Sequence, residues 1–168
     1  HKLFDLKNSF NQDLSKWNVS KVTTLFRTFR NAEAFTSNLS TWDVSNVVTL
    51  SDTFYGCFAF NSNLSTWDVS KVTTLARTFG GTKVFNSDLS KWNVSKITSL
   101  ESTFWTAQSF KSDLSKWDVS KVTTLRNTFS TSDMCVIATW LNCLRPFNSD
   151  LSKWDVSKVE SLEKTFYG

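Results

Sequence analysis

Residues 10–29 read FNQDLSKWNVSKVTTLFRTF, and residues 35–54 read FTSNLSTWDVSNVVTLSDTF. The two strings agree at seven large apolar positions, Phe10, Leu14, Trp17, Val19, Val22, Leu25 and Phe29 in the first, and the pattern continues down the chain. Trp17, Trp42, Trp67, Trp92 and Trp117 are each 25 residues apart, and Trp154 follows after 37. Phe10, Phe35, Phe60, Phe85, Phe110 and Phe147 keep the same offsets. One unit is F-x-x-x-L-S-x-W-D/N-V-S-x-V/I-x-x-L-x-x-T-F plus five variable residues, and nine of its columns are identical in all six copies. Self-similarity at a fixed period of this length is the signature of a repeat architecture, in which no unit buries its apolar residues alone.

In the first copy the apolar members are Phe10, Leu14, Trp17, Val19, Val22, Leu25 and Phe29, at steps of 4, 3, 2, 3, 3 and 4. Neither the helical period nor the strand period fits that series. A closed coil of short segments does fit. The expected fold is a leucine-rich-repeat-like solenoid of six coils of about 25 residues, with short parallel β-strands centred on Leu25 and its copies and helical or 3₁₀ turns near Thr28 and Phe29. The repeats fall near 5–29, 30–54, 55–79, 80–104, 105–129 and 142–166, as one unit over 1–168. An insertion occupies residues near 130–141. The first residues sit late in the repeat phase, and Thr165–Gly168 copies Thr53–Gly56, so the sequence reads as an excerpt of a longer protein.

The insertion holds the one long apolar run, Met134 to Leu144. Met134, Ile137, Trp140 or Leu141, and Leu144 lie at helical spacing, and Pro146 stops the run, so a helical insertion is expected before the last coil. In a helix Cys135 and Cys143 would be ~12 Å apart along the axis, too far to bridge; a bent hairpin would permit the bond. That face either folds back over its own coil or docks a partner. Membrane contact is open only to this 134–144 segment.

Chemistry is sparse. His1 is the only histidine, and no G-x-S-x-G, P-loop or dinucleotide fingerprint occurs. The serines recur in every coil at turn positions, which marks them as turn-makers. No enzyme and no cofactor are expected. Asp13, Asp88, Asp113 and Asp150 share a column with Asn38 and Asn63; one carboxylate per coil, with Lys three positions on, suits a calcium row poorly. The N-x-S sequons at Asn18, Asn38, Asn63 and Asn93 are by-products of two repeat columns. The net charge of +4 is interspersed, with no basic block for nucleic acid. Three cysteines cannot form a fully paired framework. The recurrent Thr28, Thr53, Thr78, Thr103, Thr128 and Thr165 suit either an internal hydroxyl ladder or local backbone preference.

Strings such as residues 10–23, FNQDLSKWNVSKVT, closely resemble the BspA-like leucine-rich repeat family of Mycoplasma surface lipoproteins and many protist and algal proteins. Its typical pattern is F-N-x-D-I/L-S-x-W-D/N-V-S-x-V-T-x-M-x-x-M-F. The departure lies at the two Met positions, here Leu25, Leu50 and Leu75, and Thr28, Thr53 and Thr78. The resemblance implies an extracellular or cell-surface binding and adhesion module with protein partners. The alternative is a structural or linker subunit of a large organelle or intracellular assembly, docking through the insertion and the coil ends. Recognition is expected where the frame varies. By analogy with leucine-rich repeats, the residue after the strand leucine faces outward, and it runs Phe26, Ser51, Ala76, Glu101, Arg126 and Glu163. These six, with Met134, Ile137, Trp140, Leu141 and Leu144, are the candidate binding residues.

Overall fold

The computed structural model describes residues 2–131 and 147–168. Columns are named below by their residue in the first coil. Each coil is a succession of four-residue turns. Trp17 N–H donates to the Leu14 carbonyl at 3.0 Å, Val22 to Val19 at 2.8 Å, Thr28 to Leu25 at 3.0 Å, Ala32 to Phe29 at 2.9 Å, and Phe35 to Ala32 at 3.1 Å. The ends of these turns are the apolar residues of the repeat, so a spacing of three between inward side chains is the length of a turn. The turns opening on Leu25 and Phe29 carry a positive φ at their third residue, 54° at Arg27 and 57° at Asn31. That is the type II signature.

This overturns the leucine-rich-repeat-like solenoid of strands and helical turns. Among the described residues there is no α-helix, no 3₁₀ turn and no sheet, only single-residue bridges such as Thr24 with Thr49 and Thr74 with Ser99. The reason is the left-handed residue two positions after each Leu25-column leucine: it reverses the backbone before a strand can extend, and it interrupts any helical run. The helical insertion with Met134, Ile137, Trp140, Leu141 and Leu144 lies outside the described residues.

The coils are joined by hydrogen bonds from one to the next. Leu25, Arg27 and Phe29 amides donate to the carbonyls of Thr49, Ser51 and Thr53 at 3.2, 3.1 and 3.0 Å, and the pattern repeats down to Leu125, Asn127 and Phe129 on the last coil. Side chains complete it. Each Thr28-column hydroxyl is buried, and from Thr53 onward each lies within reach of two leucine carbonyls: Thr78 Oγ1 is 2.8 Å from Leu75 O in its own coil and 3.0 Å from Leu50 O in the preceding one. The hydroxyl ladder is therefore present, and it ties coils together. The indole N–H of Trp42 donates to the Leu14 carbonyl one coil back at 3.0 Å, and Trp67, Trp92, Trp117 and Trp154 repeat the contact. Leu14 N–H in turn donates to Ser37 Oγ of the next coil at 2.8 Å.

Two columns of phenylalanine run through the core, in one cluster with the leucine, valine and tryptophan columns. Phe29, Phe54, Phe79, Phe104 and Phe129 stack coil on coil with centroids 5.6 to 5.9 Å apart. Phe35, Phe60, Phe85 and Phe110 form a second column, each about 4 Å from its partner in the first, as in Phe54 with Phe60 at 4.0 Å. Burial comes from the neighbours. Trp42 is 5% exposed, whereas Trp17, its copy in the first coil, is 47% exposed.

Two predictions follow from these turns. Thr106 holds the left-handed position with φ 50°, a conformation that costs a β-branched residue more than most. Gly56 and Gly81 fill the same column in neighbouring coils with φ 71° and 75°. Thr106→Gly should raise stability by roughly 0.5–1 kcal/mol, read as an upward shift of the thermal midpoint. Thr78→Val keeps shape and deletes the hydroxyl, so it should lower stability by about 1–2 kcal/mol in chemical denaturation; an unchanged midpoint would show that the ladder contributes nothing.

Candidate functional site

The turns split the surface of the stack into two faces of different chemistry. One carries the paired Asx turns. Ser15 N–H donates to Asp13 Oδ1 at 2.9 Å and Ser20 N–H to Asn18 Oδ1 at 3.1 Å, and both contacts recur in every coil. The conspicuous acids and sequon asparagines are therefore turned back onto their own backbone. Among the described residues no group of three or more His, Cys, Asp or Glu could hold a metal ion. Lysines alternate with these turns at exposed positions, as Lys91, Lys96, Lys116 and Lys121 do.

Hydrogen bonds from the serines hold these carboxyls below their usual value. The serine amide acts most strongly at Asp13, Asp88, Asp113 and Asp150, and the serine hydroxyl at Asp43, Asp68, Asp118 and Asp155. A carboxyl whose folded pKa is depressed contributes stability above its unfolded value, about 3.9, and that contribution is lost as pH falls through the folded value. The thermal midpoint should drop steeply below about pH 4. Asp113→Asn with Asp118→Asn keeps both amide acceptors, as Asn38 and Asn93 do naturally, and should flatten that acid limb while leaving the midpoint at pH 7 little changed. Melts recorded between neutral pH and pH 2 check both.

The other face is the variable one. It is built from the two middle residues of each Leu25-column turn and the residue after Phe29. Phe26, Ser51, Ala76 and Glu101 are half-buried and Arg126 and Glu163 exposed, each as the second residue of its turn. The structure brings these six together as one row along the stack. They stand on turn shoulders and not on a strand surface, which corrects the analogy that selected them. Beside them run Arg27, Asp52, Arg77, Ser102, Asn127 and Lys164, all left-handed.

Charge along this face alternates through the first five coils, Arg27, Asp52, Arg77, Glu101 and Arg126, and the sixth carries both Glu163 and Lys164. Arg77 Nε donates to Asp52 Oδ1 at 3.0 Å, with Arg27 Nε 3.9 Å from Asp52 Oδ2 on the other side. Arg77 Nη1 lies 3.6 Å from Glu101 Oε1, and Arg126 Nε 3.2 Å from Glu163 Oε2. Asp52 is the buried member, with a side chain 3% exposed. All four described arginines, Arg27, Arg30, Arg77 and Arg126, are on this face, where a planar guanidinium can bridge carboxylates of adjacent coils. Sequence reading missed the column after Phe29: Arg30, Tyr55, Gly80, Trp105, Ser130 and Tyr167. Tyr55 and Trp105 stack in parallel, with centroids 6.0 Å apart. The signal for them was present, since this column varies as widely as its neighbours within an otherwise fixed frame.

Away from both faces, Cys57 is fully buried, its thiol donates to the Phe29 carbonyl at 2.9 Å, and burial pushes its pKa well up. It is a packing residue in a column shared with Ala32, Thr82 and Ala107. No described helix is long and apolar enough to cross a membrane.

The architecture is thus that of a repeat protein with one invariant frame and one variable face. A family described as "Mycoplasma protein of unknown function, DUF285" matches residues 1–86, 29–140 and 73–168, which together span the chain, and the chain belongs to that family. Neither the curated proteins nor the solved structures give a match.

Proposed function

We infer that the chain is a non-enzymatic binding and adhesion module, displayed at a cell surface, that takes a protein partner on its variable turn face. The observation that carries this reading is the segregation of variation. Nine columns are invariant in six coils, while the turn-face columns hold Phe26, Arg27, Tyr55, Arg77, Trp105 and Arg126. Tyr, Trp and Arg are the residue types that dominate the energetics of protein interfaces. Family membership and the resemblance to repeats of surface lipoproteins support the cell-surface part.

The test is adhesion. Beads coated with the chain should adhere to cells or to extracellular proteins. Ser51→Glu with Ala76→Glu adds two carboxylates in the middle of the face without touching the frame, and should reduce adhesion by at least about tenfold with an unchanged thermal midpoint. Adhesion indifferent to that pair would sink the face. Protease treatment of intact source cells should remove the native protein; a protein protected inside the cell would redirect the reading to an internal assembly.

A further inference from the structure

The column after Phe29 contains a layer with no side chain. Tyr55 and Trp105 belong to coils two apart, with Gly80 in the coil between them. Their ring centroids are nevertheless 6.0 Å apart and their planes within 4°, about the separation of phenylalanine rings in adjacent coils, 5.6 Å for Phe29 with Phe54. The Tyr55 ring therefore leans over Gly80 to stack on Trp105. A Cβ at Gly80 would come within 2.9 Å of Tyr55 Cδ2 and 3.1 Å of the Ser102 carbonyl oxygen. The left-handed residues of this coil are Arg77 and Gly81, not Gly80. Gly80 is not left-handed, so what calls for glycine there is close approach, by the Tyr55 ring and the Ser102 carbonyl.

The rim is charged and fixed. Arg30 Nε donates to Asp5 Oδ1 at 2.9 Å, and Arg77 is held by Asp52. Their side chains stay 25% and 40% exposed while Asp5 and Asp52 are 13% and 3% exposed, so both guanidinium groups meet solvent, Arg77 with Glu101, 34% exposed, 3.6 Å from its Nη1. An aromatic slot beside exposed guanidinium suits an aromatic side chain with a neighbouring carboxylate.

We propose that the layer over Gly80 is the docking slot of the turn face: Tyr55 and Trp105 part to sandwich an aromatic side chain of a protein partner, and a carboxylate next to that residue meets Arg30 and Arg77. The inserted ring restores the missing layer, so the column becomes continuous as the frame columns are. This rests on the reading of the turn face as a protein-binding surface and names its anchor.

Gly80→Phe supplies the missing ring from the chain itself. A random peptide display library panned against the wild-type chain should enrich peptides carrying an aromatic residue next to Asp or Glu. Those peptides should bind Gly80→Phe and Trp105→Ala at least about tenfold more weakly, with thermal melting of each variant confirming the fold. If Gly80→Phe does not fold, Trp105→Ala and Tyr55→Ala carry the same comparison. Peptides weakened by Ala76→Glu but indifferent to Gly80→Phe, Tyr55→Ala and Trp105→Ala would overturn the slot and leave the face standing. Peptides indifferent to all of these, or no enrichment at all, would overturn both. Binding of free saccharides with no peptide binding would assign the ring pair to glycans and overturn the proposal.

Discussion

The backbone of a single coil cannot satisfy itself. A helix or a hairpin pairs its own amides and carbonyls; a succession of turns pairs only one donor in every few residues, and a buried polar group without a partner is costly. The remaining groups are paired between coils. Amides of the Leu25, Arg27 and Phe29 columns reach the next coil, and indole and hydroxyl donors reach back to the leucine carbonyls of the preceding one. Stacking therefore precedes structure in any coil, and the phenylalanine columns supply the apolar burial that drives it. The invariance of Trp17, Thr28 and Phe29 follows, since each column reaches the adjacent coil: indole and hydroxyl donors to leucine carbonyls, and phenylalanine onto its own copy.

That reciprocity is why the period and the inward residues were legible in the sequence while the secondary structure was not. A step of three between Leu14 and Trp17, Val19 and Val22, or Leu25 and Thr28 is compatible with a tight turn, a 3₁₀ segment or the rim of a strand. What decides for type II turns is the left-handed third residue, and in the Leu25-column turn that position holds Arg27, Asp52, Arg77, Ser102, Asn127 and Lys164, without a single glycine, while only Gly56 and Gly81 mark the Phe29-column turn. No glycine signal marked the turn that opens on leucine. The inter-coil hydrogen bonds hold these residues there, and they cannot be seen in one repeat read alone. The site shows the same division. The Phe26 column was found by its variability, whereas Tyr55, Gly80 and Trp105 acquire meaning only as three successive layers of a stack.

The division of cations between the faces has a physical cause. On the Asx-turn face the carboxylates already accept hydrogen bonds from serine, so a cation there needs only to remain solvated, and lysine does so on a flexible stem. On the turn face the carboxylates are shared between coils, and arginine can hydrogen-bond through its fork, as Arg77 does to Asp52, or lay its guanidinium over a ring, as Arg27 does over Phe26 with its guanidinium carbon 4.9 Å from the ring centroid. The carboxylates of this face are held by arginine, while Arg30 and Arg77 keep part of their guanidinium open to solvent.

Near-identical coils pose a problem of order. Every frame contact that coil two makes with coil three could equally be made with coil four, because the columns concerned are the same residues; such misassembly is the characteristic failure of repeat proteins. Only the variable columns distinguish one neighbour from another. If a coil were skipped, Arg27 would meet Arg77 and Asp52 would meet Glu101, like against like, whereas correct order sets Arg27 and Arg77 about Asp52, and Arg77 against Glu101. Attraction across a partly exposed pair is weak in stabilising terms, but repulsion from a buried carboxylate such as Asp52 discriminates strongly. The alternation of charge thus labels the coils where the frame cannot, and it does so on the same face that carries the variation available for recognition.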